Sequence, residues 1–580
     1  SGGSVYLIAP NVSNEGIIRS PNGEVILAAG QTVNLIDSAT PGVKVEITGA
    51  QGNATNLGEI MAEAGRIGMA GVLVRNSGTL NASSVVSDGG RIFLKATGDT
   101  LVEGGRLNAS STVAKGGRID VLGDRVAVAG STEIDASGAT GGGYVRVGGD
   151  YQGGNPEVQN ARMAYFGQDA VIKVDATDSG DGGTAIIWAN DATRAYGHIY
   201  ARGGANGGNG GFVENSGHDY LDFQGRVDTS AAHGRVGKLL LDPSDIIIDN
   251  STDNLAGGSF SGGWFSGATT NATLTWTTIN AQSGSLEIRT NSAGSGGNGD
   301  ILINGSGSVT GPSTLTLLAN RNIDFGSGVT VSAGSNDVNL ISGWNNTGWA
   351  VTPGTGVITF TGGSSLNSTT GNVYMYSGNG LLVQSGASLN VGGTLDVGTL
   401  ANPMLGNVVI NGSVLSSGTA QNVYTSGTVT VQANDSGFAS LAYTGTGLQT
   451  VHGAGITVSS VATASNSRAA TISSSGDQDL ATSGGGNILV QASSPAISPY
   501  GDNYASINAT GNQTFDTGSG NIQVLAGVGG TGNNRALITA GGHQMITNAG
   551  SLVVKGDQNT TYGASGNFAR MQSGGYQDFT

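Results

Sequence analysis

Hydrophobic and polar positions alternate along this chain in short bursts, and glycine-rich corners separate the bursts. In the stretch 115–137, Ile119 and Val121 alternate with Asp120, Val126 and Val128 flank Ala127, and Ile134 and Ala136 flank Asp135. A period of two sends successive side chains to opposite faces of an extended strand, so this stretch predicts three short strands and two corners. The unit recurs. Gly-Arg-Ile at 65–67, Gly-Gly-Arg-Ile at 89–92 and 116–119, and Gly-Tyr-Val at 143–145 place an aliphatic marker every 25, 27 and 26 residues. A second marker keeps step in Leu80-Asn-Ala-Ser, Leu107-Asn-Ala-Ser, Ile134-Asp-Ala-Ser and Val174-Asp-Ala-Thr. A repeated unit of three strands at this length is one coil of a β-solenoid. The predicted fold class is all-β, a right-handed parallel β-helix, the hand following from strand twist and parallel crossovers.

The same pattern, with interruptions, runs through the chain and divides it at about 110, 250 and 440. Segment 111–250 is the regular β-helix. Its period breaks once: Val145 to Ile186 is 41 residues, which predicts an extra-helical loop near 150–169. The markers then resume at Ile186, Val213 and Val236, with Ile199 and Val227 as the second set. Segment 251–440 reads as a looser β-helix that opens with a polar, Gly-rich stretch carrying Phe260, Trp264 and Phe265. Segment 441–580 holds a longer repeat with the frame Ala-x-Ile-x-x-x-Gly-x-Gln, whose Gln478, Gln513, Gln544 and Gln577 are 35, 31 and 33 residues apart. The chain opens in what reads as a strand and stops inside a repeat, as expected of a piece of a longer rod.

Composition narrows the picture. Gly is 103 of 580 residues and charged residues are 11 %, against about 25 % in ordinary soluble proteins. Collagen is excluded by the lack of a Gly-X-Y period, and disorder by the regular aliphatic positions and a net charge of only −16. Cys is absent, which fits a reducing compartment and also a chain exported unfolded. No run approaches the ~20 apolar residues of a membrane span. The acidic balance and lack of a basic cluster argue against nucleic-acid binding. Polysaccharide lyases share the parallel β-helix, but Arg66, Arg91 and Arg118 recur at the repeat period beside glycines. That placement reads as a charge ladder along a wall, so no catalytic residues are expected.

Three groups of side chains call for a functional reading. His198, His218 and His233 fall within two coils but match no metal-binding spacing. Asp175, Asp178 and Asp181 share a Gly-rich turn, where clustered carboxylates suit a hard cation, yet the calcium-loop patterns are missing. No metal and no cofactor is therefore expected. Trp344 and Trp349 flank a turn-like Asn-Asn-Thr-Gly, and Tyr374 and Tyr376 sit two apart on one side of a strand. Exposed aromatic pairs of this kind are platforms for sugar rings, and these four residues are the ligand-binding candidates; the same rings also serve as stacking aromatics inside a solenoid. Asn-x-Ser/Thr triplets at Asn81, Asn108, Asn508 and Asn512 are common in a chain this rich in Asn, Ser and Thr, and leave sugar modification open.

Several stretches resemble a known family: 20–30 (SPNGEVILAAG), 56–60 (NLGEI), 134–143 (IDASGATGGG), 148–153 (GGDYQG), 210–217 (GGFVENSG) and 239–246 (LLLDPSDI). Together they resemble the filamentous haemagglutinin-type exoproteins of two-partner secretion, with 1–110 similar to the later coils of their secretion and haemagglutination domain. The part after Ser251 is similar in style alone. The resemblance implies export through an outer-membrane transporter of the two-partner type. It implies a secreted, cell-surface adhesin that attaches to host cells, other bacteria or biofilm polysaccharide. Its partners would be a surface polysaccharide or a host-cell receptor. The alternative is a structural filament or spacer rod with no ligand site of its own.

Overall fold

The structure, a computed structural model, describes residues 3–36, 44–48, 52–251, 260–261, 264–265, 272–291, 298–433, 437–461, 467–493, 502–527, 533–556 and 567–580. For 32–36, 44–48, 260–261 and 264–265 it describes the backbone alone. The fold is a parallel β-helix in which the strands of the walls pair with their counterparts one coil away. The chain forms two compact units. Unit 1 comprises Ser1–Ile246, Ser251–Asn298 and Gly311–Ser313; unit 2 comprises Ile247–Asn250, Gly299–Thr310 and Thr314–Thr580.

In unit 1 the repeating sequence becomes three strands, Arg118–Leu122, Arg125–Ala129 and Glu133–Asp135. Ile67, Ile92, Ile119 and Val145 stack in direct register and are fully buried. Leu80, Leu107 and Ile134 form a second buried column. The polar residue after that marker has a job of its own. Asn81, Asn108 and Asp135 each accept, through Oδ1, the backbone N–H two residues ahead, at 3.1, 3.1 and 2.9 Å. Side-chain-to-backbone bonds of this type close a corner without a helix or sheet partner. Glycine is required where coils touch: a Cβ on Gly117 would lie 2.0 Å from the carbonyl oxygen of Gly90 one coil away.

Three marker positions differ from the reading by spacing. Ile134 pairs with Ile172, so Val174 is two residues past the column. Val145 pairs with Ala185 and not with Ile186, and Val213 pairs with Leu239 while Val236 is exposed. Corner lengths vary from coil to coil, and only the pairing fixes which aliphatic residue enters the column.

The predicted loop is present but shorter than 150–169. It spans 148–160, between strands Tyr144–Val147 and Ala161–Phe166, and the latter has already rejoined the wall against Arg125–Ala129. The chain leaves at Gly148 (φ +87°), where a Cβ would meet the Trp188 carbonyl oxygen. A single 3₁₀ turn, Tyr151–Gly153, then lies over the outer face of the wall. A second departure, the antiparallel hairpin Thr32–Ile36 and Lys44–Thr48, precedes it. Phe260–Ser261 and Trp264–Phe265 form a short antiparallel pair; their aromatic side chains lie outside the described residues.

Polar side chains beneath the 148–160 loop anchor it. Arg146, nearly buried, donates to Asp120 at 2.6 Å and to Asp150 at 2.7 Å. Burial alone would raise the Asp150 carboxyl, but bonds from Tyr144, Asn155 and the Tyr151 N–H, with the Arg146 charge, hold it below the usual carboxylate range. Gln152 then bridges two further buried acids. Its backbone N–H reaches both Glu214 oxygens at 3.2 Å, and its side-chain amide donates to Asp242 at 3.0 Å. Burial pushes the Glu214 carboxyl up to about 8, and the Asp242 charge adds to that shift.

Unit 2 stacks in the same way, and its sequence repeat maps residue on residue. Ala470, Ala505, Ala536 and Ala569 form one column, and Ile472, Ile507, Ile538 and Met571 another. The recurrent glutamines form an internal ladder. The amide of Gln449 donates to Gln421 at 2.6 Å, Gln478 to Gln449 at 2.5 Å, and Gln513 to Gln478 at 2.9 Å. Gln544 and Gln577 extend the ladder at 2.9 and 2.5 Å. A buried amide needs both its donor and its acceptor satisfied, and a Gln in every coil at one register position does this for its neighbours.

Two predictions follow from these contacts. Replacing Gln513 by Leu leaves the Gln478 acceptor and the Gln544 donor buried without that partner, so denaturant unfolding should show a loss of about 2–4 kcal/mol; Thr514→Ala on the outer face of the same strand should cost much less. For the loop, Glu214 is raised above its unfolded value, so its contribution is complete below about pH 4.5. It is lost as pH rises through about 8. Trp188 fluorescence, reporting cover by Gly149 and Gly153, should shift to the red across that range. Glu214→Gln should abolish the shift.

Candidate functional site

Strand Asp337–Ser342 and strand Ile358–Phe360 are joined by a further excursion from the wall, 343–357, which the sequence shows only as a turn. It folds back on itself through an antiparallel bridge between Trp344 and Val351. Asn345 Oδ1 accepts the Thr347 N–H at 3.1 Å, and Asn346 (φ +67°) makes the reversal. Asn tolerates this left-handed conformation better than a branched residue does.

The hairpin separates its two tryptophans. Trp344 is 3 % exposed and packs on Leu318, Ile341 and Val351, with Tyr376 and Leu405 alongside. Its indole N–H donates to the Gly348 carbonyl at 2.9 Å. Trp349 is 46 % exposed and stacks on Tyr374, centroids 5.3 Å apart and planes at 27°. Tyr374 and Tyr376 occupy alternate outward positions of strand Val373–Ser377, both part-buried. Burial, then the Tyr376 and Asp396 charges, pushes the Tyr374 hydroxyl up to about 12, so it stays protonated and available as a donor. Of the four aromatic candidates, Trp349 and Tyr374 are brought together at the surface. Trp344 is a core residue of the hairpin and is not presented, and Tyr376 packs beside it.

The strands stacked on Val373–Ser377 carry polar groups that periodicity did not single out. Asn422 donates to Asp396 at 2.8 Å. Asp479 receives His452 at 2.9 Å and the Thr514 hydroxyl at 2.6 Å. The His452 bond, against an opposing effect of burial and with help from Thr514, holds the Asp479 carboxyl below its ordinary range. Tyr424 meets the His452 ring edge-on at 5.0 Å. The signal was in the alternation, since each residue holds an outward position of its strand, but only the pairing register shows that they share one face.

The other candidates are occupied by contacts between coils. Asp175 pairs with Arg202 at 2.7 Å, Asp178 accepts from Asn206 at 2.7 Å, and Asp181 from the Asn209 N–H at 2.7 Å. His218 faces Asp219 at 2.8 Å, while His198 and His233 are exposed on separate segments. Among the described residues no group of three His, Cys, Asp or Glu side chains is placed to hold a metal. Arg66, Arg91 and Arg118 do stack in register, with Glu24 3.6 Å from Arg66 and Asp120 3.1 Å from both Arg91 and Arg118.

No protein-family model matches the chain, and no curated protein matches it significantly. Among solved structures, the chain is similar to the HMW1 secretion domain from Haemophilus influenzae, with 34 % identity and a TM-score of 0.36. That match covers 40 % of this chain and 62 % of the Haemophilus domain.

Proposed function

We propose that this chain is a non-catalytic segment of an exported, two-partner-type surface adhesin whose β-helix presents a glycan-binding aromatic face. The observation that carries this reading is the Trp349–Tyr374 pair, stacked on the wall with Trp349 open to solvent and Tyr374 part-buried beneath it. The buried Trp344 hairpin core fixes the position of Trp349 in advance of any ligand. A pre-ordered ring with apolar faces and a hydroxyl at its edge suits the mixed C–H and O–H surface of a sugar. Two features support a binder over an enzyme: the arginine ladder of unit 1 is engaged with carboxylates, and the three clustered aspartates are held by the neighbouring coil. The export route and its outer-membrane transporter rest on the sequence resemblance. The rival reading, a spacer rod, draws on the self-satisfied glutamine ladder, which asks for no ligand.

Binding of the purified chain to a panel of bacterial and host polysaccharides, with soluble product assayed in parallel, separates these readings. Saturable binding should weaken roughly tenfold, about 1.4 kcal/mol, in Trp349→Ala or Tyr374→Ala. Trp344→Ala should instead lower the melting temperature. No binding to any glycan supports the spacer, and released product overturns the non-catalytic assignment. In the producing cell, loss of the cognate outer-membrane transporter should retain the full-length protein inside; its undiminished release would contradict the export route.

A further inference from the structure

The wall that carries Tyr374 continues as a ladder. Tyr374, Asp396, Asn422, Thr450, Asp479 and Thr514 are direct register partners, one per coil, all part-buried except Thr450, which is buried. Parallel pairing sets them about 4.8 Å apart along the stack, close to the length of one pyranose residue. Two positions further along the strands a second outward row holds Tyr424 and His452, again register partners. The wall therefore repeats its chemistry at the period of a linear polymer, whereas a single sugar would occupy the Trp349–Tyr374 pair alone.

Charge selects among polymers. The strands of this wall, from Asp337–Ser342 to Gln577–Phe579, contain Asp337, Asp396, Asp477, Asp479, Asp516 and Asp578 and no Lys or Arg. Basic residues of unit 2 lie on other elements: Arg321 is paired with Asp300, Arg468 is buried, and Arg535, Lys555 and Arg570 belong to other sheets. A sulfated or uronate chain laid here would meet carboxylates and no Lys or Arg, which disfavours it. An ammonium-bearing chain would meet carboxylates already oriented by Asn422, His452 and Thr514. Tyrosine faces add the cation–π and C–H contacts that amino sugars favour.

We propose that this wall is a track for a linear amine-bearing glycan, a partly de-N-acetylated hexosamine polymer, running from the Trp349–Tyr374 platform along Asp396, Asn422 and Tyr424 to Asp479. The inference rests on the aromatic-face reading above and extends it from one platform to several coils.

The test is titration of the whole chain with glucosamine oligomers of graded length, their fully N-acetylated counterparts, and heparin. Affinity for glucosamine oligomers should rise with length and fall with added salt. Asp396→Asn, Tyr424→Ala and Asp479→Asn should each remove most of the length-dependent gain while leaving the shortest oligomers bound, with unchanged melting temperature. Trp349→Ala should weaken every length. Equal binding of acetylated oligomers, or tight binding of heparin, overturns the amine assignment. Binding that depends on Trp349 but not on length, or is unchanged in all three track variants, overturns the track and leaves the platform standing. Failure of every glycan to bind the unmodified chain removes the platform and the track together.

Discussion

Everything in this protein depends on the pairing of each coil with the next. A coil alone exposes its aliphatic side chains and both strand edges, and fixing its backbone costs ~1–2 kcal/mol per residue. Stacking closes the core and pairs the edges at once. The constraint that follows is strict: whatever a coil places at a register position meets the same position of its neighbours at about 4.8 Å. Inside, that favours identical residues. The glutamine ladder of unit 2 and the Asn14–Asn56–Asn76 ladder of unit 1, linked at 2.8 Å per step, are polar solutions to it. Corners obey it too, since the second glycine of each pair packs against a carbonyl of the preceding coil (Gly117 on Gly90) and the first against a carbonyl of the following coil (Gly116 on Ala136).

The same constraint makes departures from the wall informative. The excursions 148–160 and 343–357 leave between strands whose pairing continues on either side. Each covers a patch of outer wall. One seals a polar cluster built on Arg146, Glu214 and Asp242; the other seals an apolar cluster built on Trp344. The wall supplies the rigidity, and the excursion supplies a side chain in a place no strand could put it. Trp349, held over Tyr374 by a hairpin with its own core, is the clearest case.

Much of the fold is legible in the sequence. The Ile67–Ile92–Ile119–Val145 column and the alanine, isoleucine and glutamine columns of unit 2 were read from spacing, because stacking forces identity at one period. Val174 and Val236 were misassigned because a corner absorbs a residue or two without disturbing the strands beside it. The long period between Val145 and the next marker revealed a loop but not its end, since Ala161–Phe166 reads as well as a loop as it does as a strand. At the candidate site, the aromatic residues stood out by rarity, but which tryptophan faces water depends on a hairpin fold that alternation cannot express. The row from Asp396 to Thr514 was invisible because its members are coils apart and unlike one another. Outer positions carry no packing demand for identity, so function is free to vary them.

The most direct test of this account is a crystal structure of the chain with a bound hexosamine oligosaccharide. The account predicts a sugar ring against Trp349 and Tyr374, with the chain following the wall toward Asp396 and Asp479. An oligosaccharide seated on the serine- and asparagine-lined wall of Ser365, Asn367, Ser388 and Asn390, with Trp349 and Tyr374 uncovered, would contradict it.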